Sequence, residues 1–458
     1  MTDNLKILND PFLSGDERLA ALRTRQKAEV NRALSDNTGE INNHIHTIYS
    51  YSPYTPAMAA YKAWEAGLRA AGSVDHDSIA AADEMLAACA ALGIGGCAGF
   101  EVRVSFKKDA DGKASVFAAR KINNPDSEGF AYMTVQGIPR PGIKKAAQFL
   151  APIREERLKR TKAMALSANS LLREAGLSEI DFERDIYQIS KYSEGGEITE
   201  RHLLASIAQK IIHKYGKGPS LADGIKQKFG IAVSPKINAL LSDNENPHYL
   251  YDLLGVLKTE LLPSIFIQPG ENECIGAQRV TSFASSIGAI PSYAYLGDVG
   301  ESPTGDKKAE KFEDDFIEEL FSELPRLGYK AVTYMPPRNT IRQLSNVQNL
   351  CRKHGFMEIS GVDINSSRQS FNCPEVLKDE CRHLVDTTWA VIAHERLSSI
   401  NTRYGIFSAD NPLASLDLNE RLAAFAFFGK KLNMYNPDES AAQTACEIDK
   451  GNLNWRSV

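Results

Sequence analysis

Three short clusters of histidine and carboxylate residues follow one another in the first quarter of the chain. They are His44-Ile45-His46, Asp75-His76-Asp77 and Gly99-Phe100-Glu101. Two histidines at positions i and i+2 of a strand project to the same side of it. Imidazole nitrogen and carboxylate oxygen together suit Zn²⁺, Mn²⁺ or Fe²⁺. The clusters therefore predict a divalent-metal site built at the ends of successive strands.

A fourth cluster, Gly361-Val362-Asp363-Ile364-Asn365, lies in the second half of the chain. Asp363 and Asn365 are again i and i+2, so both can face the side that His44 and His46 face. An aspartate is a natural further ligand, and a carboxylate can also hold or activate a metal-bound water.

The chain alternates between apolar strand-like runs and helical runs, which predicts a parallel sheet or barrel. The predicted strands are 41–46, 73–75, 98–104, 264–268, 291–296, 331–334 and 357–363. Between them, helical segments follow one another with little strand signal, and this stretch is predicted to be an insertion. The sequence leaves open whether the insertion forms a lid, a partner surface or packing material.

These patterns divide the chain into five segments. They are an N-terminal helical segment (1–40), a first part of a barrel (41–150), a helical insertion (151–262), a second part of the barrel (263–400) and a C-terminal helical segment (401–458).

The composition sets limits on the class of protein. The 458 residues are 43% hydrophobic and 24% charged, with a formal net charge of -5, which argues against a general nucleic-acid binder and against an anionic membrane surface. No apolar run approaches the roughly 18 residues of a membrane span, and the start lacks the pattern of a signal peptide. The seven cysteines never form Cys-x-x-Cys and are expected to be reduced thiols. We expect a cytoplasmic protein without a membrane or nucleic-acid partner.

With these motifs the chain resembles the PHP (polymerase and histidinol phosphatase) family of metal-dependent phosphoesterases. Residues 43–50, 73–78, 98–102 and 361–365 match, in order, that family's His-x-His-Thr-x-x-Ser, Thr-Asp-His-Asp, Gly-x-Glu and late Asp-x-His motifs. The resemblance implies a distorted (β/α)7 TIM-like barrel, here with a mostly helical insertion, that clusters up to three metals at the C-terminal ends of its strands.

Carried over residue by residue, the resemblance implies that His44, His46, Glu101 and Asp363 hold one metal. Glu101 would bridge to a second ion, and His76 would serve a third. In that chemistry a metal-bound hydroxide attacks phosphorus while the ions neutralise the phosphoryl oxygens.

The chain departs from the family pattern at several ligand positions. Asn365 stands where the last motif ends in His, and Tyr51-Ser52 replaces an Asp or His. At the two middle histidine positions the nearest residues are Gln136 and either Ala289 or Pro291. We therefore expect one to two ions of Zn, Mn or Fe. The predicted metal ligands are His44, His46, His76, Glu101, Asp363 and Asn365.

A phosphate substrate also needs cations, and Arg103, Arg338 and Arg368 each follow a predicted strand or motif. Guanidinium matches phosphate bidentately, although a carboxylate substrate would need the same groups. His248, Glu271 and Glu273 are further candidate ligands. The predicted catalytic residues are Asp75, His76, Asp363, Arg338 and Arg103.

Three functions fit this sequence. The first is a metal-dependent hydrolase of a small anionic substrate, a phosphate ester. The second is an amidohydrolase-type enzyme that cleaves a C–N bond, since a mononuclear His-x-His site with a late Asp also serves amide hydrolysis. The third is a binding or regulatory protein that kept the pocket after losing part of the metal site.

Overall fold

The computed structural model describes residues 3–33, 38–300 and 310–451. Within these ranges seven strands form one sheet, and their order in space is their order along the chain. The strands are β1 Ile41–Ile45, β2 Ala70–His76, β3 Gly95–Ser105, β4 Phe130–Gln136, β5 Ile290–Ala294, β6 Ala331–Tyr334 and β7 Met357–Ser360.

Helices surround this sheet and build the insertion. Their bounds are α1 Asp3–Leu8, α2 Gly15–Ala33, α3 Pro56–Glu65, α4 Ala82–Leu92, α5 Arg140–Glu174, α6 Glu200–Tyr215, α7 Pro219–Phe229, α8 Pro235–Ser242, α9 Tyr249–Glu260, α10 Leu262–Ile265, α11 Ala277–Ser286, α12 Ile317–Glu323, α13 Ile341–His354, α14 His383–Ile400, α15 Leu418–Lys431 and α16 Pro437–Asp449. Within the described ranges, no helix is both long and apolar enough to cross a bilayer.

One predicted strand is wrong, and an unpredicted strand takes its place in the sheet. Residues 264–268 form the end of α10 and an irregular stretch, whereas β4 supplies the fourth strand. No helix separates β3 from β4, so the chain returns in the opposite direction. As a result β4 is antiparallel to both β3 and β5, while the other neighbouring strands are parallel. The predicted parallel sheet is therefore corrected to a mixed one.

The sheet curls so that its first strand meets the chain just beyond its last strand. His46 N donates to Ile364 O at 2.9 Å, and Ile364 N donates to His44 O at 3.1 Å. Among the described residues this is an isolated bridge rather than a ladder between β1 and β7. The architecture is thus a mixed α/β fold with a curled seven-stranded sheet, whereas the resemblance implies a closed (β/α)7 barrel. The bridge brings Asp363 beside His44 of β1 and beside His46, which directly follows that strand.

The insertion has its own hydrophobic core, and α5 connects it to the sheet. Ala146 and Leu150 of α5 pack in the core around β3 to β6, while Met164 and Ala168 of the same helix pack among α6, α7 and α9. The predicted boundary between residues 150 and 151 therefore falls inside a continuous helix. Since one helix belongs to both cores, the insertion is fixed to the sheet.

Helix α14 packs against β3 and β7, and most of its residues are buried. Its Glu395 is 1% exposed, and its Oε2 accepts a hydrogen bond from Ala98 N of β3 at 2.7 Å. Burial raises the pKa of Glu395 to about 7, although the nearby Arg396 and the Ala98 N–H act to lower it. The folded protein therefore holds a proton on Glu395 at pH values where an unfolded chain has lost it.

We expect the Glu395→Gln variant to be more stable than the unmodified protein at pH 8. A carboxyl with a raised pKa makes the free energy of unfolding fall as the pH rises from the ordinary value of 4.5 to about 7, and glutamine removes that dependence. The gain above pH 7 should be about 1–3 kcal/mol and should vanish near pH 4. Chemical denaturation at several pH values measures it, with the exposed Glu174→Gln as control. A variant that is less stable than the unmodified protein at pH 8 would contradict this.

Candidate metal centre

His44 of β1, His46 directly after that strand and Glu101 of β3 form the centre of the site. One ligand atom from each of His44, His46 and Glu101 lies within 4.8 Å of the others, and all three residues are buried. His44 Nε2 is 3.8 Å from Glu101 Oε1, and His46 Nε2 is 4.0 Å from Glu101 Oε2. The structure thus brings together three of the residues that the sequence selects as ligands.

A hydrogen-bonded chain sets the orientation of His46. Ser50 Oγ donates to Asp75 Oδ1 at 2.5 Å and lies 3.2 Å from His46 Nδ1. Because the hydroxyl hydrogen goes to Asp75, Ser50 Oγ accepts from His46 Nδ1–H. The lone pair of His46 is therefore on Nε2, which faces Glu101, as in metal sites whose histidines donate from the other ring nitrogen.

The donor atoms fit a divalent ion. His44 Nε2 and His46 Nε2 are both buried and have no hydrogen-bond partner among the described residues. An unpaired buried imidazole nitrogen costs free energy, which a metal bond would recover. Burial, helped by the charge of His76, lowers the pKa of His46 to about 3, so its ring is neutral and can ligate near neutral pH.

His76, at the end of β2, lies against the same glutamate. Its Nδ1 is 2.9 Å from Glu101 Oε2, and its ring centroid is 4.5 Å from that of His46. Burial and the nearby Arg157 lower the pKa of His76 to about 3. Burial likewise raises the pKa of Glu101, while His44 and His46 act against that rise.

Asp363 completes the cluster from the segment after β7. Its Oδ1 is 3.4 Å from His46 Nε2. Asn365 Nδ2 donates to both Asp363 oxygens, at 2.8 and 2.7 Å. Asn365 therefore turns its amide nitrogen to the carboxylate and positions Asp363. That Asn365 is itself a ligand stays a prediction, and only its amide oxygen could serve.

Asp75, predicted to be catalytic, accepts hydrogen bonds from the turn after β1. Thr47 N and Thr47 Oγ1 each donate to it at 2.6 Å, in addition to Ser50. Asp75 is 1% exposed and does not line the cavity described below. It holds the turn after β1 and, through Ser50, the ring of His46.

A cavity of about 490 Å³ opens over the cluster. The sheet side of its wall includes His44, His76, Glu101 and Asp363. Helices α6 and α9 of the insertion form another side of the wall, with Arg201, Leu204, Tyr251, Leu254, Gly255 and Lys258. The insertion therefore borders the candidate site.

The three arginines selected from the sequence do not line the cavity. Arg103 is 3% exposed and pairs with Glu273 and with Glu200, the latter at 3.4 Å, and its contact with a substrate stays a prediction. Arg368 pairs with Asp252 at 2.6 Å. Arg338 Nε donates to Leu296 O at 3.2 Å, and the residue is half-buried outside the cavity lining.

The further candidate ligands do not join the cluster. Glu273 is paired with Arg160 at 2.6 Å as well as with Arg103, and Glu271 is exposed. His248 Nδ1 lies 2.9 Å from Ser367 Oγ. Gln136 is buried on β4, and its Nε2 donates to Thr134 Oγ1 at 3.2 Å.

The residues that the insertion contributes to the cavity wall are not evident from the sequence. Arg201 lies in the first turn of α6, and Tyr251 lies in the first turn of α9. Neither belongs to a motif, and nothing in the local pattern separates them from other helix residues. The roles of Thr47 and Ser50 had a signal, because both lie in the first matched motif.

No family model matches the sequence, and a search of curated proteins finds no match. Two solved structures resemble the fold. One is an amidohydrolase from Chromobacterium violaceum with bound sulfate and no metal, 17% identical, with a TM-score of 0.45 over 72% of this chain and 89% of that one. The other, from Bifidobacterium adolescentis, is described as a metal-dependent phosphoesterase, 15% identical, with a TM-score of 0.44 over 76% of this chain and 98% of that one. Both scores lie below 0.5, so the function of this chain is argued from its own residues.

We expect the His46→Ala variant to lose its divalent metal. The unmodified protein should retain about one Zn, Mn or Fe ion per chain after dialysis, because three or four ligands from His and carboxylates suffice for one ion. Elemental analysis of purified protein measures the content. The exposed His213→Ala variant, on α6, serves as control and should keep the metal. Equal metal content in the two variants would show that the cluster is not the site.

We expect Asn365→Leu to weaken metal binding by about 10- to 100-fold, the usual effect of removing a hydrogen-bond donor to a metal ligand. Leucine keeps the approximate size but cannot hold the Asp363 carboxylate. Competition with a metal indicator dye gives the affinity. Asn349→Leu, on the exposed side of α13, is the control. An unchanged affinity in Asn365→Leu would mean that Asp363 does not depend on this amide.

Proposed function

We propose that this protein is a metal-dependent hydrolase that cleaves phosphate esters. The observation that carries the proposal is the pair of buried, unpartnered imidazole nitrogens that face Glu101 beneath a cavity. A divalent ion held by such ligands polarises a phosphoryl oxygen and makes a bound water more acidic. His44, His46 and Glu101, with Asp363 beside them, would hold it.

The chain's own residues supply the remaining functions. Burial opposes ionisation of Asp363, but His46 and His44 hold its pKa below the ordinary value, so it is a carboxylate that can accept a proton from an attacking water. Asp75 and Ser50 fix the ring of His46. The insertion forms part of the cavity wall beside the site.

The charge of the wall supports an anionic substrate. Arg201 and Lys258 line the cavity, and neither forms an ion pair with any described residue. Phosphate esters carry the matching charge. The proposal includes a cytoplasmic location and a small-molecule substrate, in keeping with the mild net charge of -5.

The C–N hydrolase is the second candidate. Among the described residues, one group of three potential ligands has its ligand atoms within 4.8 Å of one another. Three ligands are enough for a mononuclear amidohydrolase site. The third candidate, a binding protein without turnover, would keep the same ligands but cleave nothing.

A substrate panel separates these candidates. We expect protein loaded with Mn²⁺ or Zn²⁺ to hydrolyse phosphomonoesters or phosphodiesters, and a chelator to abolish that activity until metal is restored. Cyclic and linear amides at the same concentration are the comparison. Turnover of amides alone would identify the C–N hydrolase, and metal binding with no turnover at all would identify a binding protein. Turnover in chelated, metal-free protein would refute the proposal.

A further inference from the structure

Arg201 forms no ion pair with a described residue, and burial lowers its pKa, although the nearby Asp363 carboxylate acts to raise that pKa. Arg103, Arg157 and Arg160, by contrast, each pair with buried carboxylates. None of the described residues accepts a hydrogen bond from the Arg201 guanidinium, whose Cζ lies 5.9 Å from the centre of the Tyr251 ring.

The carboxylate next to Arg201 in the chain is already occupied. Glu200 Oε2 is 2.7 Å from Arg157 Nη2, and Glu200 Oε1 is 2.6 Å from Arg160 Nη2. Both oxygens thus serve other arginines. A half-buried guanidinium without a partner costs free energy that an anion in the cavity would recover.

Several contacts hold the start of α6, the helix that carries Arg201. Thr199 caps α6 by accepting from Arg201 N at 3.3 Å. The ring of Tyr51, from the turn after the metal-ligand strand, lies 4.7 Å from that of His202 and 6.3 Å from that of Tyr251. The loop that follows the metal ligands and the helix that carries Arg201 therefore pack together.

The rest of the insertion wall is apolar with a cation at its edge. On α9, the residues three, four and seven positions after Tyr251 also line the cavity, so they share one face of the helix. They are Leu254, Gly255 and Lys258. Leu204 extends the surface from α6 in the same way. Such a wall fits a ligand with one anionic group and a less polar remainder.

We infer that Arg201 binds the anionic group of the substrate and that α6 and α9 determine which ligands the site accepts. This inference rests on the proposed function for the identity of the anion as a phosphoryl group. It assigns to the insertion the anion-binding role that the sequence analysis gives to Arg103, Arg338 and Arg368.

The first test measures binding of inorganic phosphate to metal-loaded protein by calorimetry. We expect Arg201→Gln to weaken phosphate binding about 10- to 100-fold, the value of a hydrogen bond to a charged group, without changing the metal content. Arg201→Lys, which keeps the charge but not the fork, should lose less. The control is Arg173→Gln on α5, since Arg173 is exposed and pairs with Glu179 at 3.0 Å. If Arg201→Gln aggregates, Arg201→Lys decides.

The outcomes separate the inference from the function. Phosphate affinity in both Arg201 variants within about twofold of the unmodified protein would overturn the inference even if phosphate esters are cleaved. Phosphate binding that depends on Arg201 in a protein without phosphatase activity would support the inference and reject the proposed function. Failure of the metal-loaded, unmodified protein to bind phosphate would overturn both.

A second test concerns the wall. A Cβ at Gly255 would meet nothing within 4 Å, so Gly255→Phe can fold and project into the cavity. We expect it to reduce kcat/KM for 4-nitrophenyl phosphate at least fivefold more than for a small alkyl phosphate, with phosphate affinity unchanged, as expected for a few lost contacts. An unchanged ratio between the two substrates would show that α9 does not contact the ester group.

Discussion

Six buried charges hold the insertion against the sheet, and the candidate site depends on them. Three arginines alternate with three carboxylates, so the cluster is electrically balanced. Its members are Arg103, Arg157, Arg160, Asp77, Glu200 and Glu273. Removing one partner of a buried pair typically costs about 3–5 kcal/mol, because the other charge stays buried without compensation. Loss of any one member would therefore disturb the contact between α5, α6 and β3.

Contacts with the insertion accompany two unusual backbone conformations. Apart from glycines, Tyr51 and Asp77 are the described residues with positive φ, at 64° and 48°. Asp77 directly follows His76, and Tyr51 lies five residues after His46. Both contact the insertion: Asp77 Oδ2 is 2.6 Å from Arg157 Nη1, and Tyr51 packs on His202. Such conformations cost about 1–3 kcal/mol each and persist where the surrounding contacts impose them. The insertion is thus part of what shapes the turns that carry His46 and His76.

The closeness of His44 and His46 could be predicted from the sequence because it is local: their spacing follows from strand pleating. Glu101 lies within a segment that is clearly strand-like. Two errors have physical causes. Residues 264–268 are apolar enough for a strand, but the first two belong to α10. Strand β4 pairs with β3 and with β5, and β5 is distant in sequence. Arg201 could not be predicted, because its importance comes from the lack of a partner in three dimensions, which no sequence spacing records.

The charge balance of the buried cluster also determines the electrostatics of the cavity. Since Asp77, Glu200 and Glu273 are all paired with arginines, they cannot compensate the charge of Arg201. Three carboxylates remain at the cavity wall: Glu101 and Asp363, which face the histidines, and Asp126. Once a divalent ion is bound beside Glu101 and Asp363, their negative charge is offset, and Arg201 and Lys258 outnumber Asp126, which leaves the wall positive. Metal binding would thus turn a nearly balanced cavity into one that attracts an anion, so the ion and the substrate should bind cooperatively through charge alone.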